Sequence, residues 1–138
     1  VVAALCMGAG WVTIIARDTD RGAALLKGAG QQGTVLPFGG PVPDSPHAAL
    51  LFNATSLGMT GQPALEFDLR CLPGDVAVFD AVYAPLETPL LAAARARGLL
   101  AIDGLSMLIG QAATAFEIFF GATAPREHDA ELRAMLTA

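Results

Sequence analysis

The sequence predicts an α/β fold built around a parallel β-sheet. Apolar runs at residues 11–16, 48–53 and 75–80 lack the polar alternation of half-exposed strands, and such runs are typical of strands buried on both faces. Segments with helical periodicity lie between these runs, so strand and helix alternate along the chain. This alternation indicates right-handed βαβ units whose helices cover the sheet, and the hydrophobic fraction of 54% is consistent with that cover.

Each predicted element has a local sequence signal. Runs rich in β-branched and other apolar residues predict five strands after residue 10, at 11–16, 34–38, 48–53, 75–80 and 99–102. Capping residues followed by periodic apolar stretches predict four helices, at 21–27, 88–97, 106–120 and 126–136. Thr19 and Asp20 are suited to cap the first of these helices, and Thr88 opens the second. A proline-rich loop over 39–47 and a longer loop over 57–74 complete the chain.

Length, charge and cysteine content narrow the class of protein. At 138 residues the chain is one domain or part of one. The formal net charge of −5 argues against nucleic acid as a partner, because such binding needs a basic face. No apolar stretch reaches the roughly 20 residues of a transmembrane helix, so no membrane partner is expected. Cys6 and Cys71 fit neither a metal-ligand spacing nor a disulfide framework, which predicts no metal site and a reducing, cytoplasmic location.

Three segments carry more specific information. Residues 53–59 read Asn-Ala-Thr-Ser-Leu-Gly-Met, residues 80–91 read Asp-Ala-Val-Tyr-Ala-Pro-Leu-Glu-Thr-Pro-Leu-Leu, and residues 104–117 begin Gly-Leu-Ser-Met-Leu-Ile-Gly-Gln. Together, in this order, they resemble the nucleotide-binding half of the shikimate/quinate dehydrogenase family. The resemblance implies a Rossmann-like doubly wound parallel sheet over residues 1–138. It also implies that the full-length protein catalyses NADPH-dependent, reversible reduction of 3-dehydroshikimate to shikimate.

The start of the chain is expected to be incomplete relative to that family. Val1 is not an initiating methionine, and residues 1–8 are expected to be the end of a helix. Gly8 and Gly10 then follow a helix and precede a strand, the reverse of the order in a dinucleotide-binding glycine loop. By the resemblance, the first strand, its glycine-rich loop and an N-terminal substrate domain lie outside this sequence. The chain alone is therefore expected to be unstable and inactive.

Residues 16–21, Ala-Arg-Asp-Thr-Asp-Arg, follow a predicted strand where such a fold meets the adenosine ribose. The resemblance implies that Ala16, Arg17, Asp18 and Arg21 bind the cofactor there. Arginines favour the 2′-phosphate of NADP, whereas an acidic residue favours the 2′-hydroxyl of NAD. Because this segment has two arginines, which should outweigh the flanking carboxylate of Asp18, it predicts NADP. Asp18 leaves NAD as the alternative cofactor. The alternative is that Asp18 caps a helix while the arginines face solvent.

The resemblance also implies a wall that holds nicotinamide and substrate. Six further residues are assigned to the cofactor: Asn53, Thr55, Ser56, Ala81, Gly104 and Met107. Two residues are assigned to the substrate: Tyr83 and Gln111. Helical spacing places Gly104, Met107 and Gln111 on one face, where Gln111 is expected to be a buried amide that needs a partner. For the turn at 53–56 the alternative is side chains that bond their own backbone, and for Met107 it is a core position.

No catalytic residue is predicted in this chain. Oxidation of an alcohol by a nicotinamide needs a base near the substrate hydroxyl. The resemblance assigns that role to a Lys–Asp pair in the N-terminal domain outside this sequence. Lys27, His47 and His128 are expected at the surface, and Asp80 is expected to brace the loop after its strand.

Two other functions remain open at this point. One is a quinate/shikimate dehydrogenase that prefers NAD, which Asp18 favours. The other is a nucleotide-binding module without catalysis. The expected partners are shikimate or 3-dehydroshikimate and the N-terminal half of the same protein, and the sequence leaves the oligomeric state open, a homodimer included.

Overall fold

The computed structural model describes residues 8–30 and 32–137 and divides between Pro43 and Asp44 into two compact units. Five strands are found in it: β1 (Val12–Ala16), β2 (Gly33–Pro37), β3 (Leu50–Asn53), β4 (Ala77–Asp80) and β5 (Leu100–Ile102). The described residues also form four α-helices: α1 (Thr19–Gly28), α2 (Pro89–Ala96), α3 (Gly104–Phe120) and α4 (Asp129–Thr137). Every element predicted after residue 10 is present, with its ends shifted by a few residues at most. The helix end expected over 1–8 lies, apart from Gly8, outside the described residues.

The strands of the described residues pair in parallel but form two sheets, β1–β2 and β3–β4–β5. Parallel pairing with intervening helices confirms the predicted α/β class. Among these residues β1 and β3 are not paired with each other. This agrees with the expectation of a doubly wound sheet that is incomplete because its first strand lies outside this sequence.

The first unit, up to Pro43, is one β–α–β arrangement in which α1 connects β1 to β2. Leu26 of α1 is buried. Gly22 of the same helix lies so close to the strands that a Cβ there would be 2.8 Å from a methyl carbon of Val35. The absent side chain lets α1 pack directly on the sheet.

The first turn of α1 corrects the predicted cap. Oδ1 of Asp18 accepts a hydrogen bond from the backbone N of Arg21 at 2.9 Å. An aspartate just before the first helical residue satisfies an amide that has no partner within the helix. The cap is therefore Asp18 rather than Thr19 or Asp20, and the helix begins at Thr19. The capping role considered for Asp18 is confirmed.

The second unit, from Asp44, has its core between the three-stranded sheet and α2. Val78 of the central strand and Leu91 and Ala94 of the helix have no exposed surface there. A 3-10 turn at Leu69–Cys71 closes the core. The remaining core residues are Leu69, Leu72, Val76, Leu90 and Leu99. This packing fixes the carboxyl ends of β3, β4 and β5, from which the site is built.

Helices α3 and α4 follow β5. The last turn of α3 leaves Ile118, Phe119 and Phe120 exposed. The predicted helix over 126–136 is divided into a 3-10 turn, Arg126–His128, and α4. Among the described residues, the helices are too short or too polar to cross a membrane.

Candidate functional site

Three buried polar side chains lie at the carboxyl ends of neighbouring strands. Asn53 is the last residue of β3, Asp80 is the last of β4, and Asp103 directly follows β5. Since the strands are parallel, these ends lie at the same edge of the sheet. The exposed fractions are 3%, 0% and 6%. Polar groups buried so deeply need hydrogen-bond partners, and this edge is where open α/β sheets bind ligands.

Asp80 is the centre of a hydrogen-bond network. Its Oδ1 accepts from Nδ2 of Asn53 at 2.9 Å and from the backbone N of Val82 at 3.0 Å. Its Oδ2 accepts from Oγ1 of Thr88 at 2.7 Å. Thr88 also caps α2, because its Oγ1 accepts from the backbone N of Leu91 at 3.3 Å. The carboxylate joins β3, the loop after β4 and the start of α2, which confirms that Asp80 braces this loop.

The turn after β3 is closed by the amide of Asn53. Its Nδ2 also donates to the carbonyl O of Leu57 at 3.1 Å. Its Oδ1 accepts from the backbone N and the hydroxyl of Thr55, at 3.0 and 2.8 Å. All four hydrogen-bonding positions of the Asn53 amide are therefore used within the protein. The self-bonded turn is confirmed, and it also uses the Thr55 hydroxyl, which donates to Asn53 and accepts from the backbone N of Leu57 at 3.1 Å. Ligand contacts by Asn53, Thr55 and Ser56 stay predictions, for which the exposed Ser56 is better placed.

The start of α3 lies against the loop after β4. The backbone N of Gly104 donates to the carbonyl O of Val82 at 3.1 Å. A Cβ on Gly104 would lie 2.2 Å from the carbonyl O of Ala81, and backbone atoms cannot make room for it. Only glycine fits at this position. Two of the predicted cofactor residues, Ala81 and Gly104, are thus brought into direct contact.

Asp103 caps α3 and links it to α4. Its Oδ1 accepts from the backbone N of Ser106 and from Nη1 of Arg133, both at 3.0 Å. Nη2 of Arg133 pairs with the other carboxylate oxygen. The hydrogen bond from Arg133 is the largest cause that holds the pKa of Asp103 below its ordinary value, although partial burial opposes the shift. Asp103 is therefore charged at neutral pH.

The residues assigned to the substrate are accessible. Tyr83 is 56% exposed. Gln111 is also exposed, so the expectation of a buried amide is wrong for the described chain. On the same face of α3, Met107 is half-buried and Gly104 is buried. The phenol of Tyr83 and the amide of Gln111 are available to hydrogen-bond a ligand.

A separate group of charges lies in the first unit. Ala16 ends β1, Arg17 follows it, and Arg21 lies in the first turn of α1. Both arginines are exposed, and within the described residues neither guanidinium forms an ion pair. A helix amino terminus favours an anion through its unpaired N–H groups and its dipole. This group therefore has the chemistry to bind a phosphate.

Part of the network carries no complete signal in the sequence. Thr88 was identified as the start of a helix, but its buried hydrogen bond to Asp80 depends on the tertiary fold. Asp103 precedes a helical glycine, a capping signal that the sequence displays. Arg133 carries no local signal, because its partner Asp103 lies 30 residues earlier.

Other reactive side chains lie apart from this network. Lys27, His47 and His128 are exposed, as predicted. Cys71 is a free, partly buried thiol, and burial raises its pKa. No cluster of His, Cys, Asp or Glu within residues 8–30 and 32–137 is suited to hold a metal ion.

The comparisons with known proteins agree with this geometry. Residues 104–131, which include the start of α3, match the family model of the shikimate 5′-dehydrogenase C-terminal domain. A shikimate dehydrogenase (NADP(+)) from Sphingopyxis alaskensis is 52% identical over 129 residues, which is 94% of this chain and 46% of that protein. The chain belongs to the shikimate dehydrogenase family.

Two solved structures are similar to this chain in fold. Shikimate 5-dehydrogenase from Thermus thermophilus, in complex with NADP(H) and shikimate, superposes with a TM-score of 0.76 at 31% identity, covering 94% of this chain and 47% of that one. The ligand-free 5-ketofructose reductase of Gluconobacter sp. strain CHM43 has a TM-score of 0.85 at 27% identity, covering 94% and 49%. The chain spans about half the length of these relatives. The Rossmann-like class predicted from the sequence is confirmed.

Proposed function

We propose that the protein carrying this chain is an NADP-linked shikimate dehydrogenase of aromatic amino acid biosynthesis, which reversibly reduces 3-dehydroshikimate to shikimate. The observation that carries the proposal is the 52% identity, over 94% of the chain, to a shikimate dehydrogenase (NADP(+)). The neighbour solved with NADP(H) and shikimate supports the same cofactor and substrate. In this proposal the chain supplies the nucleotide-binding half and part of the substrate wall.

We propose that the phosphate loop and the catalytic base lie in the part of the protein outside this sequence. Among the described strands, β1 pairs only with β2, and β3 pairs only with β4. Each therefore has an edge whose backbone donors and acceptors have no strand partner. We expect the longer protein to supply a strand for these edges, a glycine-rich phosphate loop and an N-terminal domain with a Lys–Asp pair. The chain alone is expected to be inactive.

Arg17 and Arg21 are proposed to select NADP. Their exposed guanidiniums can donate to the three acceptor oxygens of a 2′-phosphate. A hydrogen bond to a charged group is worth about 1.5–3 kcal/mol. Asp18 opposes this preference less than a free carboxylate would, since its Oδ1 already accepts from the Arg21 amide.

The residues of the second unit are proposed to orient nicotinamide and substrate. The cofactor, when bound, supplies or accepts the hydride. The backbone at Gly104, held against Val82, gives the nicotinamide a fixed surface. Tyr83 and Gln111 are accessible donors for the carboxylate and hydroxyl groups of the substrate. Asp80 is an unsuitable base because both of its oxygens accept hydrogen bonds within the protein, so the base is assigned to the N-terminal domain.

An assay of the full-length protein with shikimate or quinate, and with NADP or NAD, tests the proposal. We expect the highest kcat/KM for shikimate with NADP. A higher kcat/KM for quinate with NAD would replace the proposal by the second candidate. Nucleotide binding with no turnover of either alcohol would instead support a non-catalytic module.

The second candidate, an NAD-preferring quinate/shikimate dehydrogenase, is favoured by the other oxygen of Asp18. Only Oδ1 of that exposed carboxylate is used by the cap, so Oδ2 can accept from a ribose 2′-hydroxyl. The full-length Asp18→Ser variant, which keeps a capping side chain, separates the two cases. Loss of NAD-linked activity would support this candidate, and unchanged NAD-linked activity would contradict it.

The homodimer and the cytoplasmic location stay predictions.

A further inference from the structure

The first turn of α3 is held from two sides. On one side the backbone N of Gly104 donates to the carbonyl O of Val82 at 3.1 Å. On the other side Asp103, with a side chain only 9% exposed, accepts two hydrogen bonds from Arg133 of the C-terminal helix α4. The residue that directly precedes Gly104 is therefore in contact with a side chain of the C-terminal helix.

The contact between Arg133 and Asp103 has the geometry of a specific clamp. Nη1 and Nη2 of Arg133 address different oxygens of one carboxylate, the paired arrangement that fixes orientation as well as distance. Nη1 also lies 3.4 Å from Oγ of Ser106, whose backbone N is capped by the same carboxylate. Arg133 therefore contacts the capping residue and the first turn of α3.

A shift of this cap would move the proposed ligand wall. Gly104 has no room to approach the loop further, since even a Cβ would lie 2.2 Å from the carbonyl O of Ala81. Met107 and Gln111 lie on the same face of this helix as Gly104. If the first turn rotated, these two side chains would move with it.

We propose that Arg133 is a positioning residue that holds Gly104 and the first turn of α3 in register with the Ala81–Val82 loop. This inference rests on the proposed function for its catalytic consequence, because Gly104 and Gln111 are there assigned to nicotinamide and substrate. Its structural part concerns only the residues that Arg133 contacts.

The test uses the full-length protein with three substitutions at the clamp. Arg133→Ala removes it, and Arg133→Lys keeps the charge but loses the paired geometry. Asp103→Asn keeps a residue that caps helices well while removing the charged acceptor. Arg126→Ala is the matched control, since among the described residues Arg126, in the 3-10 turn before α4, forms its ion pair with Asp129, the first residue of α4.

Two quantities are measured for each variant: amide hydrogen exchange of residues 103–109, and kcat/KM for shikimate per mole of folded protein. For Arg133→Ala we expect at least tenfold faster exchange of the Ser106 amide and about a tenfold lower kcat/KM. Arg133→Lys should lie between this variant and the wild type, and Arg126→Ala should match the wild type. Adding Arg133→Ala to Asp103→Asn should change neither quantity further, because Arg133 acts through Asp103.

Three results would overturn the proposal. Unchanged exchange at residues 103–109 in Arg133→Ala would show that the clamp does not hold the helix start. Faster exchange with an unchanged kcat/KM would leave Arg133 only a stabilising role. Additive effects in the double variant would mean that Arg133 does not act through Asp103. A wild-type protein without shikimate activity would refute the proposed function, and the exchange data would still decide the structural part.

Discussion

The two compact units present their proposed ligand groups in different ways. In the first unit, Arg17 and Arg21 are exposed, and the local structure depends on a single cap from Asp18. In the second unit, Asp80 and Asn53 are buried and hydrogen-bonded to each other and to the neighbouring loops. An exposed charge can be replaced without repacking, whereas a buried acceptor cannot. Cofactor choice and stability should therefore be separable in the first unit and coupled in the second.

Asp80→Ala should give the largest effect. It leaves the Asn53 amide, the Val82 backbone N and the Thr88 hydroxyl without their buried acceptor. One such unpaired group costs about 1–3 kcal/mol, so we expect the free energy of unfolding to fall by about 3 kcal/mol or more. Chemical denaturation of the full-length protein measures this.

Asp75→Ala is the matched control for that variant. Asp75 is an exposed acidic residue just before β4, so its loss should change the free energy of unfolding by less than about 0.5 kcal/mol. Equal losses for the two variants would mean that the network around Asp80 contributes nothing beyond charge.

Gly104→Ala should come next, because it forces the start of α3 away from the carbonyl O of Ala81. We expect a destabilisation of about 1–3 kcal/mol and at least a tenfold loss of kcat/KM. Gly110→Ala provides the comparison within the same helix, since a Cβ there meets no atom within 4 Å. That variant should keep its activity and gain up to about 1 kcal/mol of stability from alanine's higher helix propensity. Similar activity losses in both would refute the close-contact account.

Arg17→Ala tests the first unit. Loss of a charged hydrogen bond worth about 1.5–3 kcal/mol should raise the Kd for NADPH by about tenfold to a hundredfold. The Kd for NADH, measured by the same fluorescence titration, should change by less than about twofold, and the melting temperature should stay constant because Arg17 is exposed. Lys27 lies at the other end of α1, so Lys27→Ala should leave the Kd for both NADPH and NADH unchanged. If the Kd rose equally for NADPH and NADH, the assignment of Arg17 to the 2′-phosphate would be wrong.

The smallest expected effect is a pH dependence that Arg133 confers on stability. The pKa of Asp103 lies below its ordinary value of 3.8 in the folded protein, chiefly because Arg133 donates to it. A lowered pKa stabilises the fold fully above the ordinary value, and this stabilisation is lost as the pH falls through the folded pKa. Because Arg133 is 38% exposed, solvent screening should limit the contribution to less than about 1 kcal/mol.

The check is the difference in unfolding free energy between wild type and Arg133→Ala as a function of pH. We expect this difference to stay constant from neutrality to about 4 and to shrink as the pH is lowered further, through the lowered pKa of Asp103. Asp68, whose pKa Arg70 lowers to about 2, is present in both proteins and cancels. A difference that stays constant on acidification would contradict the assignment to Asp103.

Local signals were enough to predict the elements of this fold. The apolar runs that become β3 and β4 and the cap at Thr88 each follow from neighbouring residues alone. The bracing role of Asp80 also followed from its place at a strand end. The exact cap of α1 was missed because Asp18, Thr19 and Asp20 are all acceptable capping residues, and only backbone geometry chooses between them.

Contacts between distant segments could not be predicted. The pairing of Arg133 with Asp103 and of Thr88 with Asp80 depends on how the helices pack against the strand ends. The exposure of Gln111 was mispredicted for a similar reason, because helical spacing defines a face but not what covers it. The geometry of the site therefore depends on tertiary packing, which the residue types alone do not specify.

The most direct test of the contrast between the units is one ratio, kcat/KM with NADP over kcat/KM with NAD, measured on full-length Arg17→Ala and Asp80→Asn. We expect the ratio to fall at least tenfold in Arg17→Ala. We expect Asp80→Asn to lower both values of kcat/KM while leaving their ratio unchanged. A ratio that changes equally in both variants would contradict the separation of cofactor choice in the first unit from site geometry in the second.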